Sequence, residues 1–225
     1  MSRVALILCG GKGTRFRSIS SSPKILAPFR NGLFIDWLID FLKNNQFETI
    51  ILSLGYKSEE IIEYINLKFN SFNISYLIEE EPLGTGGAVS NAFNLLKNDE
   101  LCVFNGDTFW TENLDEEFFS KNIELGLCLT KVFPVNDRYG ELNLNNGKLS
   151  INIGSTTQKL YNSKVFIGIA RVSRSISSDG LIFPYSFEEL LLSQKEGLDT
   201  SNFNGDMFDF GIPDAYKILG EKYAI

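Results

Sequence analysis

The sequence has few cysteines and no long apolar run. Its three cysteines, Cys9, Cys102 and Cys128, are odd in number and lie far apart in apolar sequence, which excludes a disulfide framework and a paired-cysteine metal site. We expect core thiols in a reducing compartment. The apolar start at residues 4–8 is too short for a signal peptide, and no later stretch approaches the roughly 18 apolar residues of a membrane helix. The sequence therefore predicts a soluble protein of the cytoplasm with no membrane partner.

Positive charge is also in short supply. The chain has 21 Lys and Arg residues against 28 Asp and Glu residues, and its net charge is −7. Such a chain lacks the general cationic surface that would neutralise a nucleic-acid backbone or an anionic bilayer. We therefore expect no nucleic-acid partner, and any phosphate group must be held by a few local residues.

The first half of the chain alternates between strand-like and helix-like apolar patterns. Residues 4–8 form a short apolar run that ends at two glycines, which is typical of a strand buried on both faces. Strands that alternate with helices imply a mostly parallel sheet that binds ligands at the carboxyl ends of its strands. The later segments are a helical stripe at Ile35, Leu38, Ile39 and Leu42, a strand at 49–54, a helix capped by Ser58 with Ile61, Ile62 and Ile65 inward, a strand at 74–78, a helical stripe at Val89, Ala92, Phe93 and Leu96, and a strand at 101–104.

Beyond about residue 126 the pattern becomes rich in β-formers separated by turn residues. The predicted elements are strands at 127–132, 139–144, 148–153 and 165–172, a turn at 145–147 and a final helix at 213–219. We interpret them as an antiparallel extension of the same sheet. The length of 225 residues suits one α/β domain with a sizeable core.

The segment Leu8–Arg17, with the sequence LCGGKGTRFR, is a glycine-rich turn after a buried strand. Its main-chain N–H groups can approach phosphates closely, and Lys12, Arg15 and Arg17 add positive charge. A polyphosphate cradle is one interpretation, and a tight turn on a solvated loop is the other. Two common phosphate motifs are excluded, because Lys12 is followed by Gly13 and Phe16 stands where the third glycine of a dinucleotide loop belongs.

Three charged residues elsewhere fit a phosphate site. Lys24 follows Pro23 in a stretch that proline keeps extended, although a lone lysine is more often a surface residue. Asp107 follows a buried strand, where a carboxylate suits Mg²⁺ bridging to phosphates and Gly106 would leave room for the ligand; a turn aspartate is the alternative. Asp209 lies between aromatic residues, a poor setting for an unpaired charge, so we expect a cation beside it.

The loop Glu81–Ala88, with the sequence EPLGTGGA, joins a predicted strand to its helix. Its small residues would let a flat ring approach main-chain groups, which favours a base-binding loop. A flexible strand–helix connection is an equally good interpretation of these residues alone.

Together these segments resemble the sugar-1-phosphate nucleotidyltransferase, or nucleotide-sugar pyrophosphorylase, family. The matching motifs occur in the family's order over nearly the whole chain: GGxGTR and PK at residues 10–15 and 23–24, EPLGTGGA at 81–88, GD at 106–107 and FDIGxPxxY at 208–216. The resemblance implies a Rossmann-like three-layer αβα sandwich with a mostly parallel mixed sheet and an antiparallel extension. It also implies one domain over residues 1–225, with a nucleotide-binding half at 1–110 and a sugar-phosphate-binding half at 111–225.

The resemblance further implies that a sugar phosphate oxygen attacks the α-phosphorus of a nucleoside triphosphate in line. Asp107 and Asp209 would hold Mg²⁺, Arg15 would bind the departing pyrophosphate, and Lys24 would bind the sugar phosphate. Gly140 and Lys159 would contact the sugar phosphate. The residues implied for nucleotide binding are Leu8, Gly10, Gly11, Gly13, Thr14, Gly84 and Thr85. Positioning and charge neutralisation matter more in such a reaction than a general base, which is consistent with a chain that contains no histidine.

The sequence departs from the family pattern mainly in the sugar half. Ile25-Leu26 follows Pro23-Lys24 where the family carries a proline and a methionine or leucine. Gln158-Lys159 stands where the family has Glu-Lys, and Phe166-Ile167-Gly168 replaces the usual Asn-Ala-Gly. The catalytic half therefore matches the family better than the sugar half.

Within the family, the residues of these motifs are most similar to those of short guanylyltransferases that act on D-glycero-α-D-manno-heptose 1-phosphate or mannose 1-phosphate. GTP and a heptose 1-phosphate are thus the expected substrates, and GDP-heptose for surface polysaccharide synthesis is the expected product. A uridylyl- or thymidylyltransferase acting on another hexose 1-phosphate is the close alternative. A binding-only relative that senses a nucleotide sugar is an alternative of another class. The sequence leaves the oligomeric state open, with a homodimer as one option.

Overall fold

The computed structural model describes residues 2–11, 13–14, 16, 21–134, 141–152, 162–209, 211 and 213–223. The chain divides into two compact units. The first unit comprises Met1–Pro82, Phe104–Asn113 and Gly205–Ile225, and the second comprises Leu83–Val103 and Leu114–Asn204. Within the described ranges, no helix has both the length and the apolar character needed to cross a membrane.

Strands and helices alternate as far as residue 105, and strands predominate after it. In chain order the strands are β1 (Arg3–Leu8), β2 (Pro28–Phe29), β3 (Gly32–Leu33), β4 (Phe47–Leu54), β5 (Ile74–Ile78), β6 (Glu100–Asn105), β7 (Thr108–Trp110), β8 (Gly126–Pro134), β9 (Glu141–Asn145), β10 (Lys148–Asn152), β11 (Asn162–Ser173), β12 (Leu198–Asn202) and β13 (Met207–Asp209). The helices are α1 (Phe34–Asn44), α2 (Ser58–Lys68), α3 (Gly84–Leu95), α4 (Glu116–Ser120), α5 (Phe187–Ser193) and α6 (Pro213–Tyr223), and a 3-10 turn covers Lys24–Leu26.

Seven strands form the main sheet, in the order β12-β8-β11-β6-β1-β4-β5. The pairs β1–β4, β4–β5 and β8–β12 are parallel, whereas β8 and β11 are antiparallel. Two-stranded sheets form from β9 and β10, from β7 and β13, and from β2 and β3. The predicted α/β fold with a mixed, mostly parallel sheet is therefore confirmed.

An aromatic cluster forms much of the core of the first unit. Trp37 lies at its centre, with its ring centroid 4.7 Å from that of Phe109 and 5.9 Å from that of Phe29. Phe34, Phe41, Phe104 and Trp110 complete the cluster. Tilted and edge-to-face rings at these distances stabilise one another beyond the gain from their buried area. The cluster fixes α1 and β7 against each other, and so sets the position of the residue before β7, Asp107.

The helices of the first unit begin and end close to the predicted positions, with one exception in capping. The predicted apolar stripe of α1 is buried, as expected for one face of an amphipathic helix. The prediction that Ser58 caps α2 is wrong. Ser58 is the first helical residue, Lys57 precedes it in a left-handed conformation with φ 56°, and no side chain caps this end. The N–H of Ser58 donates instead to the carbonyl of Gly55, at 3.3 Å.

The strands of the second unit agree only in part with the predicted antiparallel extension of the sheet. Strands β8 and β11 do pair antiparallel, but β12, which was not predicted, adds a parallel edge. The hairpin β9–β10 forms its own two-stranded sheet and does not extend the main one. Its turn at residues 145–147 is confirmed, because Asn146 and Gly147 both have positive φ, at 50° and 75°, as two-residue hairpin turns require.

Helix α5 of the second unit was also missed. It covers only seven residues, too few to show clear helical periodicity. Its start nevertheless carries a local signal, because Ser186 and Glu189 form a reciprocal capping box. Helix α3 ends at Leu95, so Leu96 follows the helix and does not belong to its apolar stripe.

Candidate active site

The loop after β1 lies at the carboxyl end of the sheet in the first unit. Gly13 has a φ of +54°, a left-handed conformation that glycine adopts without the strain a side chain would bring. Gly10 and Gly11 differ from it. A Cβ on Gly10 would meet atoms of its neighbours only at 3.5 Å or more, and among the described residues none would lie within 4 Å of a Cβ on Gly11. The described protein atoms do not require glycine at these two positions, which leaves their main chain open to a close ligand.

Lys24 is held beside this loop by a turn of fixed geometry. Pro23 is extended, as predicted, but Lys24 itself starts the 3-10 turn, and the N–H of Ala27 donates to the Lys24 carbonyl at 3.0 Å. A Cβ on Gly13 would lie 3.8 Å from Cβ of Lys24. The ammonium Nζ lies 2.6 Å from Oδ2 of Asp107, and the Lys24 side chain is 15% exposed. The structure thus brings together two predicted site residues, Lys24 and Asp107.

Asp107 lies in the two-residue connection between β6 and β7. The preceding Gly106 donates its N–H to the carbonyl of Leu8 at 3.0 Å, and a Cβ at Gly106 would lie only 2.6 Å from that oxygen. The expectation that Gly106 leaves room for a ligand is therefore wrong, because the end of β1 fills this space. The close approach fixes Asp107 beside the loop that follows β1.

Asp209 ends β13, which pairs antiparallel with β7. Asp209 lies opposite Thr108, the residue directly after Asp107, so the two predicted metal ligands are one residue apart across the ladder. Oδ1 of Asp209 accepts a hydrogen bond from the N–H of Gly211 at 2.5 Å. Lys222 places Nζ 4.6 Å from the ring centroid of the neighbouring Phe208.

Asp107 and Asp209 are the two carboxylates that could contribute to a Mg²⁺ site completed by substrate. Within the described ranges, no group of three or more His, Cys, Asp or Glu residues could enclose a metal ion. Mg²⁺ is commonly bound through one or two carboxylates together with substrate phosphates and water. Asp107 and Asp209 could supply these carboxylates, and the loop after β1 lies beside Asp107, where phosphates would bind.

Glu79 is a site candidate that the sequence analysis missed. It follows β5 directly, and its Oε1 accepts a hydrogen bond from Oγ of Ser53 at 2.8 Å. A Cβ on Gly10 would lie 3.7 Å from the same Oε1, so this carboxylate borders the loop after β1. Its position immediately after a strand was the signal, since the carboxyl ends of parallel strands bind ligands.

Cys9, also in this loop, carries a thiol in a setting that disfavours the thiolate. Burial, and to a smaller extent the charge of Glu79, raise the pKa of its thiol above the ordinary value. Its Sγ donates to the carbonyl of Ser53 at 3.0 Å. A protonated, hydrogen-bonded thiol is a poor nucleophile, so covalent catalysis through Cys9 is not expected.

In the second unit, the loop that starts α3 packs against the segment before α5. Gly84 has a φ of +78°, and a Cβ there would lie 2.2 Å from the carbonyl oxygen of Tyr185. A Cβ on Gly86 would lie 2.4 Å from the Ser186 oxygen. The Thr85 hydroxyl accepts a hydrogen bond from the N–H of Phe187 at 2.8 Å. These glycines are thus required by internal packing, which corrects the expectation that their small size makes space for a flat ring.

Several predicted site residues lie outside the described residues. They are Arg15 in the loop after β1, and Gly140 and Lys159 in the sugar half. The nearby hairpin β9–β10 is described, and Ser163 of β11 donates to Oε1 of Glu141 at 2.5 Å.

A separate cavity of about 490 Å³ opens in the first unit and contains none of the predicted site residues. It has an aromatic floor and a charged rim, formed by Phe29, Arg30, Asn31, Gly32, Leu33, Asp36, Trp37, Asp40, Phe41, Asn44, Lys68, Trp110, Thr111, Glu112 and Asn113. The candidate site is therefore defined by the strand ends and not by this cavity.

The chain is similar to known proteins over nearly its whole length. The nucleotidyl transferase family model matches residues 4–145. The D-glycero-alpha-D-manno-heptose 1-phosphate guanylyltransferase of Campylobacter jejuni is 36% identical over 219 residues, which cover 94% of this chain and 96% of that protein. The enzyme of the same name from Aneurinibacillus thermoaerophilus is 34% identical, with 95% of each chain covered.

Solved structures are similar over the same length. The structure of HddC from Yersinia pseudotuberculosis matches with a TM-score of 0.83 at 28% identity, and covers 98% of this chain and 99% of that chain. Its complex with GMP-PN matches with a TM-score of 0.80 at 30% identity and the same coverage.

Proposed function

This chain belongs to the nucleotidyl transferase family, and we propose that it joins a nucleoside triphosphate to a sugar 1-phosphate with release of pyrophosphate. The observation that carries the proposal is the ion pair of Lys24 with Asp107 beside the glycine loop after β1, with Asp209 opposite Thr108 on the neighbouring strand. One cation and two carboxylates next to a phosphate-accepting loop suit a reaction between two phosphorylated substrates.

The proposed reaction is an in-line displacement at the α-phosphorus. A phosphate oxygen of the sugar 1-phosphate forms the new P–O bond, and the bond to the β-phosphate oxygen breaks to release pyrophosphate. Lys24 would neutralise the incoming phosphate and hold it beside the α-phosphorus, and Arg15 would bind the departing pyrophosphate. Because phosphoryl transfer depends mainly on positioning and charge neutralisation, the residues need not include a general base.

Asp107 and Asp209 would hold Mg²⁺ at the phosphates. Bound Mg²⁺ would neutralise phosphate charge and help to orient the two reactants. Each carboxylate already has a polar neighbour, Lys24 for Asp107 and the Gly211 N–H for Asp209, so both are oriented before substrate binds. These two contacts support the proposed metal ligands independently of the family resemblance.

We assign nucleotide binding to two segments. The first is the loop after β1, where Leu8, Gly10, Gly11, Gly13 and Thr14 would present main-chain groups to the phosphates. The second is the start of α3 at Gly84 and Thr85. At the start of α3, the Thr85 hydroxyl already accepts a hydrogen bond from the N–H of Phe187.

Guanine is the base that we propose, and Glu79 is the residue that we propose to recognise it. A carboxylate accepts hydrogen bonds and cannot donate them. Guanine offers an N1–H and an exocyclic N2–H₂ on one edge, whereas uracil offers a single N–H. The heptose 1-phosphate guanylyltransferases that are similar over nearly the full length, and the GMP-PN complex of HddC, also support GTP.

For the second substrate we propose D-glycero-α-D-manno-heptose 1-phosphate, with mannose 1-phosphate next. The names of the two most similar relatives reported above support the heptose. Gly140 and Lys159 would contact this substrate. GDP-heptose would be the product, in keeping with a role in surface polysaccharide synthesis.

The function is tested by a pyrophosphate-release screen of GTP, ATP, UTP, CTP and dTTP against a panel of sugar 1-phosphates with Mg²⁺. The expected result is release with GTP and heptose 1-phosphate that exceeds every other pair by at least about tenfold, and formation of GDP-heptose by mass spectrometry. Nucleotide-sugar binding without pyrophosphate release for any pair would overturn the enzymatic proposal and favour a sensing protein. Exclusive use of a pyrimidine nucleotide would overturn the guanylyl assignment alone.

The role of Glu79 is tested by competition between GTP and UTP at equal concentration. Glu79→Gln replaces one acceptor oxygen by a donor, so its NH₂ would face a guanine donor. We expect the preference for GTP over UTP to fall by about tenfold or more, the scale of discrimination by unpaired hydrogen-bonding groups. Glu80→Gln is the matched control on the next, exposed residue. An unchanged ratio in Glu79→Gln would remove Glu79 from base recognition.

A further inference from the structure

The segment Phe183–Phe187, here called the clasp, lies against the first turn of α3 and is bonded to it through the main chain. The N–H of Tyr185 donates to the carbonyl of Leu83 at 3.3 Å, and the N–H of Gly86 donates to the carbonyl of Tyr185 at 3.0 Å. The N–H of Phe187 adds the bond to the Thr85 hydroxyl at 2.8 Å. The clasp is therefore hydrogen-bonded to three residues at the start of α3, Leu83, Thr85 and Gly86.

Contact between the two segments is too close for ordinary side chains. The Cβ distances at Gly84 and Gly86 are 2.2 and 2.4 Å to main-chain oxygens of the clasp, and a Cβ on Gly87 would lie 2.8 Å from the ring of Phe183. Real Cβ atoms essentially never approach a main-chain oxygen so closely. Gly84 and Gly86 are thus glycine because of the clasp, whereas a Cβ on Gly87 would also lie 2.8 Å from Cβ of Leu83.

Tyr185 also holds α3 through its side chain. It is 3% exposed, and its hydroxyl lies 2.9 Å from Oγ of Ser90, about one helical turn beyond Gly86. The main chain and the side chain of one residue therefore fix α3 at two levels along its axis. Such a double attachment restricts both the translation and the rotation of the first turn.

The clasp is itself held in place by the start of α5. Oγ of Ser186 accepts from the N–H of Glu189 at 3.1 Å, and Oε2 of Glu189 accepts from the N–H of Ser186 at 2.6 Å. The hydrogen bonds that Glu189 makes with Ser186, above all the one from the main-chain N–H, lower the pKa of this carboxylate. Phe187, Leu190 and Leu191 are buried and anchor the helix.

We propose that Tyr185 is a positioning residue for nucleotide binding: through the clasp it fixes the main chain of the turn Gly84–Gly87, which contacts the nucleotide. The inference rests on the proposed function, which assigns this turn to the nucleotide. It adds that the Thr85 hydroxyl serves as an internal acceptor for Phe187, so that the turn would bind the nucleotide through its main chain. A displaced turn should therefore weaken nucleotide binding and leave the sugar phosphate unaffected.

The kinetic test is a double-mutant cycle of Tyr185→Phe and Ser90→Ala, in which the ring of Tyr185 is kept. Each single variant should raise the KM for the nucleotide about three- to tenfold, the range expected from losing one buried hydrogen bond, with kcat and the sugar-phosphate KM within about twofold. The double variant should be no worse than the singles, because both remove the same bond. Tyr76→Phe, which removes a tyrosine hydroxyl bonded to Asn66 at 2.9 Å, should leave all three constants unchanged. Equal increases in both KM values, or additive effects of the two mutations, would overturn the proposal.

Amide hydrogen exchange tests the positioning role of the clasp separately from the proposed function. In Tyr185→Phe the amides of residues 84–90 should exchange at least about threefold faster than in the wild type, whether or not any nucleotide is turned over. Unchanged exchange there would overturn the positioning role even in an active enzyme. If the wild type released no pyrophosphate with any substrate pair, but Tyr185→Phe still exchanged faster at residues 84–90, the proposed function would be refuted. The role of the clasp in fixing the turn would stand.

Discussion

Lys24 and Asp107, separated by 83 positions in the chain, meet as an ion pair with Nζ 2.6 Å from Oδ2. The Lys24 side chain is mostly buried and that of Asp107 is 40% exposed, so the pair lies at the edge of the solvent. Asp107 can therefore turn one oxygen towards a ligand while the other faces the ammonium. The pair keeps two opposite charges in position before either phosphorylated substrate arrives.

Replacing either predicted metal ligand should abolish most of the activity. We expect Asp107→Asn and Asp209→Asn each to lower kcat at least about a hundredfold at saturating Mg²⁺, because a neutral amide holds Mg²⁺ poorly and the phosphate charge would then be left without its cation. The measurement is steady-state pyrophosphate release, with far-UV circular dichroism to confirm folding. Asp40→Asn, which changes an exposed carboxylate in α1, should retain full activity. Wild-type kcat in Asp209→Asn would remove this residue from the site.

Lys24 should act on the sugar phosphate and on the chemical step. Lys24→Met keeps the length of the side chain and removes its charge, so we expect a lower kcat and a higher sugar-phosphate KM, with a much smaller change in the nucleotide KM. Lys24→Arg should recover part of kcat. Arg15→Ala should instead mainly raise the nucleotide KM, with a much smaller change in the sugar-phosphate KM. If Lys24→Met altered only the nucleotide KM, the assignment of Lys24 would be wrong.

Asp36 should matter for stability and not for turnover. Its carboxylate accepts hydrogen bonds from the N–H of Leu33 at 2.8 Å, the hydroxyl of Tyr64 and Nζ of Lys68, and its side chain is 13% exposed. Asp36→Ala leaves these donors without their acceptor and should lower the free energy of unfolding by about 1–3 kcal/mol.

A matched control for Asp36 lies one turn further along the same helix. Asp40 is 64% exposed and pairs only with Lys43 in the described contacts, at 3.3 Å. Asp40→Ala should therefore change the free energy by about 0.5 kcal/mol or less. Urea denaturation of the two variants measures the difference, and equal losses would show that the cluster around Asp36 contributes nothing specific.

Arg174 should stabilise the second unit by capping the end of α3. Its guanidinium donates to the carbonyls of Phe93, Leu96 and Asn98 at 2.6, 2.6 and 2.9 Å, where a helix leaves carbonyls without partners. Arg174→Met should lower the free energy of unfolding by about 1.5–3 kcal/mol, the range for bonds to a charged group. Lys97→Met, an exposed cation in the same connection, should have little effect. Thermal melts of both variants provide the comparison.

Local patterns predicted the parts of the fold that depend on neighbouring residues. The runs at residues 4–8, 49–54 and 74–78 are strands, and the stripe of α1 is buried. Short or non-periodic elements were missed, such as α5 and β13, because three to seven residues carry too little periodicity. The prediction that Ser58 caps α2 was wrong, because Ser58 is already the first residue of the helix and its own N–H donates to the carbonyl of Gly55.

For the candidate site, the sequence pointed to glycines that the structure requires, but the reason that we inferred for them was wrong. Gly106 and Gly84 were identified as site glycines with room for a ligand, but the space beside them is filled by the Leu8 and Tyr185 carbonyls. A glycine in a sequence shows that something approaches closely, and only coordinates show whether it is a ligand or the protein itself. Glu79 was missed because its signal was only its position directly after a strand, with no motif around it.

By itself, the sequence determined the alternation of strands and helices, the glycine loop after β1 and the charged residues at the strand ends. These features follow from side-chain periodicity and from main-chain freedom, both of which are local. Only the tertiary structure decided that Lys24 meets Asp107, that Asp209 lies one residue across from Asp107, and that Tyr185 fixes the start of α3. Such pairings depend on the order and register of strands far apart in the chain, and no local pattern encodes them.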